Sequence, residues 1–522
     1  MPGFHIYVKQ HTFKVQPRQW LCMIVLLLFG SSCALHQRLH EQAIGDFGRV
    51  VFHGSDARID GFVVGVPHGA AEPEATNYAN AISDATGAGL VIAYGFKGNR
   101  IPVAQPLIHT SPISWNATNS PRPGSVYPEF KNFLRSAIVG PLKFYVGLRI
   151  ADDASQTSRI EVASAGFSFE QLIAIKHAYA MIRDENIKDP RTLRVEIALN
   201  PLENITWNAF GVKNHGVLML AEKGLILRLP KILTLPQIKS VYRDIITKWV
   251  IEASTIARRA SSQWPPVQVK RLPYGRIDLI PGRNNARGIV IGAPHGSFDW
   301  YTGELVEELS YRTSLASVVI RGFTPTECGG WRINVNRPTE RKYPTDTVER
   351  ATDRAREVYQ HFTESVFEAA RGPLDLYIDM HQNSSENNID VATLGITREQ
   401  ARAIKSKYQE IRDRLLRNEP EVAKVNLVIE PLDQVSIGAW AAKDHGILRL
   451  SKSSLHFELP AQHVFYKEHA RSVYTKILAE LIDSIAISWL HSNANHRATR
   501  YRRVKDLRQE SRSLNSFYFP VT

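Results

Sequence analysis

Short apolar runs rich in β-branched residues alternate along this chain with longer stretches of helical periodicity. GIVIGAPHG (288–296) and LDLYIDMHQ (374–382) show the first pattern, that of strands buried on both faces. TGELVEELSYRT (302–313) and RATDRAREVYQHFTESVFEAA (350–370) show the second, that of amphipathic helices. Strands alternating with helices predict an α/β fold whose sheet is at least partly parallel. In such sheets chemistry collects at the carboxyl ends of the strands. His295 and His381 each stand at the end of an apolar run.

The pattern occurs twice. GIVIGAPHGSF (288–298) repeats GFVVGVPHGAA (61–71), and GPLDLYIDMHQ (372–382) repeats GPLKFYVGLRI (140–150). EPLDQVSIGAWAAKDHGILRL (430–450) repeats NPLENITWNAFGVKNHGVLML (200–220), and LHFELP (455–460) repeats LILRLP (225–230). The offset stays between 227 and 232 residues, far longer than a solenoid period. The 522 residues also exceed what one core usually holds. The expected organisation is one copy over 45–258, a linker over 259–274 centred on Pro265-Pro266, a second copy over 275–491 and a basic tail over 492–522.

Composition changes this picture little. A hydrophobic share of 43% and a charged share of 22% are those of a globular protein. Part of the net charge of +13 is local: between Arg497 and Arg512, seven Lys and Arg stand against Asp506 and Glu510. Those basic residues lack the aromatic interleaving of a stacking platform, so nucleic acid is not an expected partner.

The N-terminus is more telling. Lys9, Lys14 and Arg18 precede the apolar run WLCMIVLLLFG (20–30) and the small residues of SSCAL, the layout of a secretory signal over 1–34. The run falls short of the ~20 residues that span a bilayer. An exported protein, periplasmic or associated with the cell envelope, is expected. Cys33 leaves lipoprotein attachment to a membrane open, although Gly30 stands where such signals usually have Leu. With Cys22 and Cys33 in or beside this segment, Cys328 is the sole cysteine well inside the remaining chain, which excludes an internal disulfide framework.

In the second copy His295 is followed by Asp299 and Glu304, and His381 ends a later strand. Two imidazoles and a carboxylate recur as a catalytic zinc set with one position left open. Asp299 also suits a helix N-cap, and Glu304 a first-turn carboxylate. Further along come Asn336-Arg337 in WRINVNRP (331–338) and Glu458 in LHFELP.

The ordered set of His motif, Asn-Arg pair, Asp-x-His strand and late Glu resembles the zinc carboxypeptidase fold. Within that fold it resembles the N-formylglutamate amidohydrolase-like branch. The resemblance implies two tandem mixed-sheet domains of that phosphorylase/hydrolase-like class, with one zinc ion in the C-terminal copy. It makes His295 and His381 zinc ligands, with Asp299 completing the set and Glu304 as the alternative carboxylate. The carboxypeptidase pattern has Glu three positions after its His, where this chain has Phe298. Arg337 would hold a substrate carboxylate bidentately, assisted by Asn336, and Glu458 would be the catalytic base. His445, in a His-Gly turn present in both copies, is a further candidate for substrate contact.

The first copy lacks the key groups. His381 faces Arg149, Asp379 faces Gly147, Arg337 faces Gln105, Asn336 faces Ala104 and Glu458 faces Arg228. An arginine has no lone pair to give a metal, so the first copy is expected to be inactive. Alternatively, Arg149, Arg228 and His68 form a different site suited to an anion. The expected activity is hydrolysis, by the second copy alone, of an N-acyl or peptide amide next to a carboxylate. The substrate would be small and acidic, with cell-wall fragments among the candidates. The competing expectation is a non-catalytic envelope binding protein built from two degenerate hydrolase domains.

Overall fold

The apolar runs of each half pair into a sheet of eight strands. In the first half the strands are β1 (His40–Ile44), β2 (Gly48–His53), β3 (Phe62–Val66), β4 (Gly89–Tyr94), β5 (Phe144–Ile150), β6 (Ile160–Ala165), β7 (Ile197–Asn200) and β8 (Lys223–Leu229). The second half has β9 (Gln268–Leu272), β10 (Gly275–Ile280), β11 (Ile289–Ala293) and β12 (Ala316–Gly322). A separate hairpin of β13 (Trp331–Asn334) and β14 (Thr339–Lys342) follows. The second sheet is completed by β15 (Leu376–Asn383), β16 (Ile389–Leu394), β17 (Leu427–Ile429) and β18 (Ser453–Pro460).

This computed structural model describes residues 40–515 except 56–59, 97–100, 107–125, 153–156, 208, 260–265, 283–285 and 384–386, and from 492 onward the backbone alone. The signal-like segment over 1–34, Cys22 and Cys33 therefore lie outside the described residues. Among the described residues, no helix is long and apolar enough to cross a membrane.

The two sheets have one topology. The first runs β1-β2-β4-β3-β5-β8-β6-β7, and the second runs β9-β10-β12-β11-β15-β18-β16-β17. The four central strands of each are parallel, β4-β3-β5-β8 and β12-β11-β15-β18. The flanking strands β2, β6, β10 and β16 join them antiparallel. The chain is thus a mixed α/β protein of two tandem copies. Even the helix starts match: Ser168 and Thr397 each close a capping box with the Gln three residues on, an arrangement that satisfies two otherwise orphaned backbone donors.

Two expected boundaries shift. Gln268–Leu272 is not linker but an edge strand, antiparallel to β10. Its polar, half-exposed sequence hides it behind Pro265-Pro266. At the other end, the helix Glu468–Asn515 continues through position 491 into the basic tail.

The copies share one apolar core, which runs from Val64 and Trp249 in the first to Leu309 and Tyr474 in the second. Beside it lies a buried polar junction. Lys213 pairs with Glu307 at 2.7 Å, and Arg321 donates to Asn214 Oδ1 at 2.7 Å. Arg276 donates to the carbonyls of Leu218 and Ala221. Asp278 accepts from Arg276 at 2.8 Å and from Arg321 at 2.9 Å. His215 Nδ1 lies 2.7 Å from Glu327 Oε1.

Candidate metal centre of the second copy

β11 carries the chain to Pro294-His295 at the carboxyl end of the sheet, where it turns through one helical loop. The Asp299 amide donates to the His295 carbonyl at 2.8 Å. One turn places residues four apart on the same side, so the spacing of four brings Asp299 beside His295, with Nδ1 and Oδ2 3.4 Å apart. Phe298, one position earlier, lines the same cleft and takes the Arg332 guanidinium over its ring at 3.8 Å.

The neighbouring parallel strands supply the rest. β15 and β18 pair with Asp379 opposite His456 and His381 opposite Glu458. Residues two apart on a strand share a face, so these four side chains project together. They form a continuous chain in which acids and imidazoles alternate. Asp299 Oδ2 lies 3.0 Å from His381 Nδ1, and His381 Nε2 lies 2.9 Å from Asp379 Oδ2. That same carboxylate oxygen meets His456 Nδ1 at 2.9 Å, and His456 Nε2 meets Glu458 Oε1 at 3.1 Å. Tyr377 donates to the other Asp379 oxygen at 3.0 Å.

This arrangement biases the protonation of the imidazoles and the two aspartates. Burial and the Arg332 charge push His295 down to about 3, so its ring is neutral. Arg332 stands 2.9 Å from His295 Nδ1 and can only donate, so the lone pair of the ring is on Nδ1 and faces a cation. Burial opposes a proton on His381, yet Asp379 and Asp299 hold it at about 10. Burial would raise Asp299 and Asp379, but the imidazoles keep both carboxylates well below their ordinary range. His456 is raised despite its burial by Asp379 and Glu458.

The donors could hold a metal ion. His295, Asp299 and His381 are buried and offer ligand atoms that all lie within 4.8 Å of one another. Asp379, His381 and His456 form a second such group around the other face of His381. In the first group both histidines turn Nδ1 toward the same Asp299 oxygen. The Arg332 guanidinium stands where a cation would meet His295 Nδ1, so metal uptake requires it to swing away and His381 to release its Nδ1 proton.

Around these groups opens a cleft of about 570 Å³ whose walls include Arg332, Asn336, Arg337, Trp440 and Glu458. Asn336 and Arg337 follow hairpin strand β13, and Arg337 donates to Asn336 Oδ1 at 2.9 Å. Its other edge is held by Glu349, whose pKa falls to about 2 against its burial through Arg337 and Thr339.

Two expected residues are elsewhere. Glu304 is not an alternative ligand: the helix Thr302–Thr313 turns it toward the first copy, where it accepts from Asn214 at 2.5 Å. His445 does not face substrate: it is part-exposed beside Asp444 and outside the cleft walls. Conversely, Arg332 joins the site without any sequence signal of its own, and His456 and, beyond its place in the Asp-x-His motif, Asp379 join it without having been singled out. The signal for the last two is the polar alternation in DMH (379–381) and HFE (456–458) on adjacent strands.

The first copy preserves this geometry with other groups. Gly147 pairs with Ile226 and Arg149 with Arg228, the registers that bring Asp379 to His456 and His381 to Glu458. Arg228 is taken up by Glu161 at 3.1 Å and Asp152 at 2.9 Å. It is therefore structural rather than part of an anion site.

No family model matches the chain, and no curated protein matches it. Similar solved structures include a metallo-carboxypeptidase from Burkholderia cenocepacia, at 13% identity and a TM-score of 0.29, over 43% of this chain and 67% of that one. A gene product of Agrobacterium tumefaciens is similar at 13% identity and a TM-score of 0.26, over 41% of this chain and 93% of that one. A bacteriophage poly-gamma-glutamate hydrolase is similar at 13% identity and a TM-score of 0.20, over 48% of this chain and 97% of that one.

Proposed function

We propose that the second copy is a zinc-dependent amide hydrolase, acting outside the cytoplasm on a small N-acyl or peptide amide next to a carboxylate. The observation that carries this reading is the convergence of His295, Asp299 and His381, linked through Asp379 and His456 to Glu458 in one cleft. His295, Asp299 and His381 would hold the metal. Zinc, when bound, supplies polarisation of the scissile carbonyl and a more acidic water.

The chain's own residues do the rest. Glu458 takes the proton of the attacking water and returns it to the leaving nitrogen, so that water and amide become a carboxylic acid and an amine. His456, fixed between Asp379 and Glu458, orients that carboxylate. Asn336 and Arg337 face the cleft for the substrate carboxylate, which must share Arg337 with Glu349 or displace it.

Glu458→Gln keeps the shape and removes the base. With N-formyl-, N-acetyl- and peptidyl-glutamate as substrates of the whole chain, it should lower kcat by the ~100- to 10,000-fold typical of a positioned general base. Zinc content should be unchanged. Hydrolysis that persists in Glu458→Gln, or its absence with every such substrate, refutes the assignment.

Arg332 against His295 Nδ1 and Glu349 against Arg337 favour a second reading, a non-catalytic binding protein that retains the cleft. A whole chain that takes up no zinc yet binds the same acyl-amino acids unchanged would establish it.

A further inference from the structure

The cleft of the first copy is not simply the second one worn away. It encloses about 390 Å³ at the ends of β3, β5 and β8, with His68, Gln105, Tyr145, Arg149 and Trp207 among its walls. On those walls the buried Tyr145 Oη, Arg149 Nε and Trp207 Nε1 have no hydrogen-bond partner among the described residues. All three carry a hydrogen to donate. Leaving one such group unpaired in a folded interior is costly, and three around one cavity is a pattern.

The second copy shows how the pattern arose. Tyr145 occupies the place of Tyr377, in register on the strand beside β3 as Tyr377 is beside β11. Tyr377 gives its proton to Asp379, but the first copy has Gly147 there. The imidazole of His456 is replaced by Ile226, and that of His381 by Arg149. Acceptors have been removed while donors were kept, and of the two arginines added, Arg149 brings a permanent positive charge to the cleft wall. That charge lies over the Trp207 ring, 5.2 Å from its centroid. Burial pulls the Arg149 pKa below the ordinary guanidinium range, even with Glu72 nearby. The remaining walls, including Ile101, Val103, Val212 and Ile226, are apolar.

We propose that this cleft binds a small organic monocarboxylate, its carboxylate received by Arg149, Tyr145 and Trp207 and its apolar body by the aliphatic walls. The site has one guanidinium to offer, which matches a single negative charge. It requires no metal and performs no bond-breaking step, so it stands whether or not the second copy is catalytic.

Calorimetric titration of the whole chain with benzoate tests this. Benzoate should bind once per chain through the first copy. Tyr145→Phe, which removes a hydroxyl with no partner and so should fold normally, should weaken binding about tenfold, the usual worth of a hydrogen bond to a charged group. Arg149→Met should weaken it further, and benzamide should bind at least tenfold more weakly than benzoate. Arg337→Gln, which alters the second copy's own carboxylate contact, should leave the benzoate affinity of the first cleft unchanged. No heat at millimolar benzoate, or binding that follows Arg337 instead of Arg149, overturns the proposal. Inorganic phosphate binding more tightly than benzoate overturns the ligand class.

Discussion

Replacing His381 by alanine is expected to abolish stoichiometric zinc binding by the whole chain, and hydrolysis with it. This side chain is held from both ring nitrogens, by Asp299 on one side and Asp379 on the other. Its loss removes one donor of the group and separates Asp299 from the rest of the acid–imidazole chain. Losing a residue that merely orients a ligand typically costs ~10- to 100-fold in metal affinity, so losing the ligand itself should cost more. Asp379→Asn should fall in that smaller range, because it leaves the donors in place and perturbs only their orientation.

Metal content after dialysis against a zinc buffer reads the effect directly. Thermal stabilisation reads it independently: at about 100 times Kd a bound ion adds ~2.7 kcal/mol, which His381→Ala should forfeit. The substitution also leaves two buried carboxylates without their shared partner, so His295→Ala provides a gentler variant with the same expected loss of zinc. His68→Ala, at the matching turn of the first copy, should leave zinc untouched. Full occupancy in both His381→Ala and His295→Ala would end the metal assignment.

What could be read from the sequence divides along physical lines. Strand runs such as GIVIGA and LYIDMH are legible because a strand buried on both faces must be continuously apolar. Their duplication fixes the shared topology in turn. The donors His295 and His381 are legible for the same reason, since a polar residue ending such a run stands out. Asp299 is legible only as one of two carboxylates, because the choice depends on how the loop turns after Gly296. A single helical turn brings Asp299 inward, while Glu304 is carried round to the neighbouring copy.

Residues at the junction are not legible at all. Lys213-Asn214-His215 and Lys443-Asp444-His445 are almost the same sequence. The first stretch is buried against Glu307, Arg321 and Glu327 of the other copy, whereas Asp444 and His445 of the second are exposed. That difference comes from which copy lies against which. Arg332 escapes for a similar reason, since only the hairpin returns it to His295.

The same junction carries the second large effect, the replacement of Asp278 by asparagine. Asp278 is fully buried and its Oδ2 accepts from two buried guanidinia, Arg276 and Arg321. Those arginines in turn reach the first copy, one through the carbonyls of Leu218 and Ala221, the other through Asn214. The amide keeps the shape and deletes the charge, leaving two buried cations with one counter-charge fewer. Removing one partner of a buried ion pair typically costs ~3–5 kcal/mol, a large fraction of the ~5–15 kcal/mol that holds a folded protein. The urea midpoint should fall accordingly.

Acid sharpens the test. Burial would raise the Asp278 pKa, but Arg276 and Arg321 bring it below its ordinary value. A carboxylate depressed on folding contributes fully above its unfolded pKa of about 3.9 and loses that contribution as pH falls through the folded value. The gap between the parent chain and Asp278→Asn should therefore be widest near neutrality and close below about pH 4. Equal midpoints at pH 7, or a gap that widens on acidification, would show that the junction is held by its apolar core alone. Because that core and this cluster both cross between copies, tests of the candidate metal site belong on the whole chain, where the turn bearing His295 and Asp299 keeps the support of Asn214 through Ser297.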